Sequence, residues 1–195
     1  DFMVENFAME KEKAMEVRKE LNDLRDQKLN TLDHSVKKEG LVELLDYLKE
    51  SGHKIGLASS SSRYRIDFLL EREGLLDYFD LILSADDVEN GKPSPDIFIK
   101  AMGLLDANIE DTYIFEDSYP GIVAAKKSGA KTVLVIDLDD REEIKEKADL
   151  VYTSLAEVLE DLRKKDQKRE VLPQTFEVTC PKCQSHFDEN LYTLV

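Results

Sequence analysis

Apolar residues along this chain change rhythm several times. Leu41, Leu44, Leu45 and Leu48 recur at helical spacing and predict an amphipathic helix over residues 41–49, ended at Ser51-Gly52. Short apolar runs then alternate with helical stretches. The runs 54–58, 81–83, 112–115, 131–136 and 150–152 read as strands. The stretches 64–73, 95–102, 120–128, 141–147 and 155–163 read as helices, two of them stopped by Gly74 and Gly129. Strand alternating with helix predicts an α/β fold, a Rossmann-like parallel sheet sandwiched by helices with right-handed crossovers.

The N-terminal part has a different texture. Residues 5–30 are rich in Glu, Lys, Ala, Met and Leu, with Phe7, Met15, Leu21, Leu24 and Leu29 forming a loose apolar face. An α-helical hairpin or part of a bundle is expected there. At the other end, Arg163 to Glu170 is a run of charges that reads as a helix end passing into a linker. The organisation is therefore read as a helical segment over 1–38, an α/β core over 39–163 and a linker with a tail over 164–195.

Composition adds limits. Of 195 residues, 42% are hydrophobic, enough for a real core. The formal net charge of −15 makes non-specific binding to nucleic acid or an anionic membrane unfavourable. An anionic ligand must be held by local positive charge. No apolar run approaches the roughly 18 residues of a membrane span. The start, Asp1-Phe2-Met3-Val4-Glu5, is acidic, unlike a secretory signal. Two Cys at Cys-x-x-Cys spacing make no disulfide framework, so a reducing cytoplasm is the expected setting.

Three loops carry candidate chemistry. Ser59 leaves a strand, and Ser60, Ser61 and Ser62 open the next helix. A hydroxyl beside free helix N-terminal amides can hold phosphate oxygens, although serines there also serve as plain caps. Lys92 lies between Gly91 and Pro93, in a loop that two prolines stiffen. There its ammonium could meet charge building on a transferring phosphoryl group. Glu116 and Asp117 end a very apolar strand. Adjacent carboxylates repel unless a cation joins them, and Mg²⁺ is the hard cation that usually accompanies phosphates. Asp117 and Ser118 could instead cap the helix at Pro120.

With these motifs in hand, residues 41–160 resemble the core of the haloacid dehalogenase-like superfamily, in its β-phosphoglucomutase-like and phosphatase branch. The stretches KIGLASSSSR, GLLDYFDLILSADDVENGKPSPDIF and IFEDSYPGIVAAKKSGAKTVLV match that family's second, third and fourth motifs in order and spacing. The resemblance implies that Ser59 is the phosphate-binding hydroxyl and Lys92 the lysine that steadies a phosphoaspartyl intermediate. It implies that Glu116 and Asp117 hold Mg²⁺ directly or through water. Ser60, Ser61 and Arg63 fall where relatives contact substrate or phosphate. Residues 1–38 then correspond to a partial helical cap. The implied activity is Mg²⁺-dependent phosphotransfer on small phosphorylated metabolites, by a phosphatase or a sugar-phosphate mutase.

The family's first motif, an Asp-x-Asp ending the first strand, is not visible before the cap. Its strand is central in the family's sheet, so a gap is expected between the strands ending at Ser59 and at Phe115. One lookalike, Asp137-Leu138-Asp139, follows an apolar strand and could serve in a circularly permuted order; the other reading is a turn before Arg141. In the tail, Cys180, Cys183 and His186 offer three ligands for Zn²⁺, with Asp188 or a second chain in a homodimer supplying a fourth. A non-enzymatic reading thus stands beside the enzyme: an inactive remnant or interaction module with a zinc-binding tail.

Overall fold

A computed structural model of the chain describes residues 9–31, 33–171 and 191–194. Contacts divide it into two compact units, Asp1–Val36 and Lys37–Val195. Among its described residues the first unit contains one helix, α1 (Lys11–Thr31). It runs without a break through most of the stretch read as a helical hairpin or part of a bundle, because no Gly or Pro interrupts these helix formers.

The second unit is the α/β body. In chain order it comprises α2 (Leu41–Glu50), β1 (Lys54–Ala58), α3 (Arg63–Glu73), β2 (Leu81–Leu83), α4 (Asp96–Leu105), β3 (Thr112–Glu116), α5 (Tyr119–Ser128), β4 (Lys131–Val135), a short α6 (Glu142–Lys145), β5 (Leu150–Tyr152), α7 (Leu155–Val171) and β6 (Leu191–Leu194). Every strand expected from the pattern is present. Gly74 and Gly129 end α3 and α5 with φ of 67° and 88°, as their positions predicted. Helix α7 continues to Val171, through the charge run that was expected to enter a linker.

All pairings in the sheet are parallel, in the order β2-β1-β6-β3-β4-β5. Successive residues of a strand face opposite layers, and both layers are apolar. On β3, Phe115 joins Leu44, Leu45 and Leu48 of α2 and Val158 and Leu159 of α7 in one core. Its neighbour Ile114 joins Ile97, Phe98 and Met102 of α4 and Ala124 and Ala125 of α5 in the other. Small alanines on α5 let that helix lie close to the sheet.

The expected gap between β1 and β3 is filled. Strand β6 pairs with β1 from Lys54↔Leu191 to Leu57↔Leu194 and with β3 from Thr112↔Leu191 to Ile114↔Thr193. Residues read as tail therefore supply a central strand. Four residues of Leu, Tyr, Thr and Leu suit that slot, since it must satisfy the backbone groups of both neighbours. Cys180, Cys183, His186 and Asp188, the proposed zinc ligands, lie outside the described residues. No helix among the described residues is long and apolar enough to cross a membrane.

Candidate active site

Parallel strands deliver their carboxyl ends to one edge of the sheet, where loops can converge. Ala58 ends β1 and Glu116 ends β3, the two strands flanking β6. Lys92 comes from the loop before α4 and joins them. Its Nζ donates to the Ala58 carbonyl at 2.9 Å and to Glu116 Oε1 at 2.5 Å. The ammonium also lies 4.7 Å from the centre of the Phe98 ring. Both members of the pair are buried, with side-chain exposures of 5% for Lys92 and 1% for Glu116. A buried ion pair stands only where its remaining hydrogen-bonding capacity is also met. Here Lys92 has a second acceptor, and Glu116 has a second donor, the Ser118 hydroxyl, at 3.0 Å from Oε2.

Local sequence explains how this carboxylate is held. Ser118 is the N-cap of α5, and its Oγ accepts the Gly121 N–H at 3.2 Å. One hydroxyl thus caps the helix and braces Glu116. Gly121 has no Cβ because the Glu116 carboxylate occupies that space: a Cβ there would stand 1.8 Å from Oε2 and 1.9 Å from Cδ. The capping expected of Asp117 or Ser118 is performed by Ser118. Asp117 is exposed, and forms no hydrogen bond or ion pair among the described residues.

At the end of β1, the Ser59 N–H donates to the Leu83 carbonyl at 3.0 Å, and its Oγ accepts the Ser61 N–H at 3.1 Å. Ser61 in turn accepts the Ala85 N–H at 3.0 Å. Ser60 is exposed beside them. Ser62 is the N-cap of α3 without a side-chain cap bond. The serine run therefore makes a tight turn rather than a side-chain cap. Arg63 faces its own helix: Nε pairs with Asp67 Oδ1 at 2.7 Å, and its backbone N–H donates to Asp86 Oδ2.

A cavity of about 330 Å³ opens beside Glu116 and Asp117 at the carboxyl ends of β3, β4 and β5. Lys38, Asp137, Thr153 and Ser154 line its polar side. Asp137 is paired with Lys38 at 2.5 Å, and Asp139 receives a bidentate contact from Arg141 at 2.8 and 2.7 Å. The Asp137-x-Asp139 lookalike is thus held by Lys38 and Arg141 just beyond the end of β4, a strand separated from β6 by β3. Asp139 takes part in the turn before Arg141, its Oδ1 accepting the Arg141 N–H.

The model of the family described as haloacid dehalogenase-like hydrolase matches residues 2–135. The chain belongs to this family. Among its relatives, it is 38% identical over 120 residues to a bifunctional riboflavin kinase/FMN phosphatase of Arabidopsis thaliana, covering 61% of this chain and 32% of that protein. It is 37% identical over 97 residues to pyrophosphatase PpaX of Bacillus mycoides, covering 50% of this chain and 45% of the relative. The chain thus spans less than half the length of these curated relatives. Among solved structures, a β-phosphoglucomutase of Clostridium difficile aligns with a TM-score of 0.68 at 27% identity, covering 87% of this chain and 74% of that one. The family resemblance and the parallel α/β fold expected from the motifs both hold.

Haloacid dehalogenase-like hydrolases are associated with Mg²⁺, and the donors here suit a hard cation. Each Glu116 oxygen keeps a lone pair beyond its one hydrogen bond, and exposed Asp117 offers two free oxygens. Among the described residues, no three His, Cys, Asp or Glu side chains converge as a metal cluster. Mg²⁺ usually takes only one or two carboxylates and completes its shell with water and phosphate oxygens, so two suffice. Residue patterns missed Ser118 as a brace, Gly121 as the space for Glu116, and Phe98 beneath Lys92. The apolar spacing of α4 shows that Phe98 is buried, but not that a lysine from the preceding loop folds over it.

Proposed function

We propose that this chain forms the core of an enzyme that transfers or hydrolyses the phosphoryl group of small phosphate monoesters with Mg²⁺, through an aspartyl-phosphate intermediate. The observation that carries this reading is the Lys92 ammonium, buried where β1 and β3 end and fixed by Ala58 and Glu116. An ammonium so placed is already oriented when charge develops on a transferring group. The Ser59 hydroxyl and the amides near it stand at the end of the neighbouring strand, suited to hold nonbridging phosphate oxygens.

Charge balance supports the metal. Glu116 already neutralises Lys92, and Asp117 adds a negative charge, so a phosphate dianion would be repelled by the site as built. Bound through Glu116 and Asp117, Mg²⁺ would supply the positive charge that neutralises phosphate oxygens. The 330 Å³ cavity gives room for a small organic group, with Thr153 and Ser154 as hydroxyl partners. The attacking carboxylate is taken to lie outside the described residues.

The test is turnover by the whole protein of a panel containing FMN, pyrophosphate and a hexose phosphate. Lys92→Ala should lower turnover by about 10²- to 10³-fold, and Glu116→Ala with Asp117→Ala should abolish its dependence on Mg²⁺. Unchanged turnover in Lys92→Ala would refute the reading.

A further inference from the structure

The loop that carries Lys92 is closed by a side-chain clamp that makes no contact with Lys92 or Glu116. Asp96, in the first turn of α4, accepts the Ser94 hydroxyl on Oδ1 at 2.5 Å and the Asn90 amide on Oδ2 at 2.9 Å. These two donors flank Lys92 on either side in sequence. The backbone adds a turn, with the Ser94 N–H donating to the Gly91 carbonyl at 3.0 Å. From the far side, Lys127 of α5 donates to the Pro93 carbonyl at 3.2 Å. The same first turn of α4 carries Phe98, fully buried, whose ring lies under the Lys92 ammonium. Asp96 therefore couples the exposed outer end of the loop to the helix that supports its working residue.

We propose that Asp96 is a positioning residue for Lys92, with Asn90 and Ser94 as its levers and Lys127 as a second anchor. It rests on the phosphotransfer reading above, because the consequence of good positioning is tight phosphate binding. The carboxylate touches neither Lys92 nor phosphate. It acts by holding residues 90 and 94 at a fixed separation, so that the three intervening positions of a loop can present one side chain in one place. Asp96 keeps its charge through the neutral range, since the Ser94 hydroxyl and the Asn90 amide hold its carboxyl below the usual carboxylate range. Asn at this position would retain one acceptor for Ser94 but oppose an amide to the Asn90 amide.

The experiment measures binding of inorganic phosphate with Mg²⁺ to the full chain by phosphorus NMR. The Lys92 ammonium resonance of lysine-labelled protein is followed in parallel. Asp96→Ala is expected to weaken phosphate binding about tenfold through misplacement of the ammonium and to broaden that resonance. Asn90→Ala, which leaves the start of α4 intact, should do the same to a smaller degree. In a Lys92→Met background, Asp96→Ala should have no further effect on phosphate. A general loss of structure would weaken binding in both backgrounds, and that result overturns the proposal. Unchanged affinity and an unchanged resonance in Asp96→Ala also overturn it. If the parent chain binds no phosphate, the phosphotransfer reading fails separately. The clamp is then judged on the resonance, whose persistence unaltered in Asp96→Ala refutes it.

Discussion

Gly121→Ala offers a sharp test of how the Glu116 carboxylate is seated. Alanine in a helix is ordinarily worth about 1 kcal/mol over glycine. Here the new Cβ would lie 1.8 Å from Oε2, 1.9 Å from Cδ and 2.3 Å from Oε1 of Glu116. The carboxylate cannot stay, and it is the buried partner of Lys92. Overpacking costs about 1–3 kcal/mol. Stripping a buried charge of its partner costs about 3–5 kcal/mol. Even the lower ends of these ranges outweigh the helix gain by roughly 3 kcal/mol. For a body of this size that is a fall in melting temperature of about 6–12 °C. Gly103, within α4, is the control, because a Cβ there meets nothing within 4 Å. Gly103→Ala should raise stability by roughly 0.5–1 kcal/mol. Denaturant titration of both variants, followed by circular dichroism, measures the contrast. If Gly121→Ala is as stable as Gly103→Ala, the placement of Glu116 over the start of α5 is wrong.

Two further expectations concern stability alone. Thr193 sits between Gly56 and Ile114 in the centre of the sheet, so Thr193→Pro should cost about 3 kcal/mol or more by removing a ladder donor; a thermal melt unchanged from the parent would show that residues 191–194 do not pair there. Burial would raise the Asp149 carboxyl, but the Lys126 ammonium and the Thr132 N–H outweigh it and hold it below its ordinary value of 3.8. Its stabilising effect is therefore complete above the unfolded value and fades as pH falls through the folded one. Asp149→Asn should cost about 1 kcal/mol at pH 7 after solvent screening, with the gap to the parent closing below about pH 4 in acid unfolding curves; a gap independent of pH would contradict the pairing.

How much of this was legible beforehand depends on range. Helix α2 and strands β1 to β5 follow from the local spacing of Leu, Ile and Val, because each buries a face whose period the chain itself records. The same holds for Gly74 and Gly129, which end helices through backbone freedom at a single residue. Ser59, Lys92 and the Glu116-Asp117 pair stood out because each is a polar residue at the end of an apolar run or in a stiffened loop. The pairing of Arg63 was not legible: its guanidinium turns to Asp67 one helical turn on.

Tertiary structure alone decided the rest. Lys92 and Glu116 are 24 residues apart, and only crossover connections bring the ends of β1 and β3 around one ammonium. The seat for Glu116 depends on an absent Cβ at Gly121, and a missing atom leaves no periodic signal. Strand β6 shows the difference most plainly. Leu191–Leu194 is too short to declare itself by pattern, and it becomes a central strand because β1 and β3 leave a parallel slot between them whose backbone groups need partners. The chain's own text thus determined which segments become helices and strands and which side chains carry charge. Long-range pairing and close packing decided which of those charges meet.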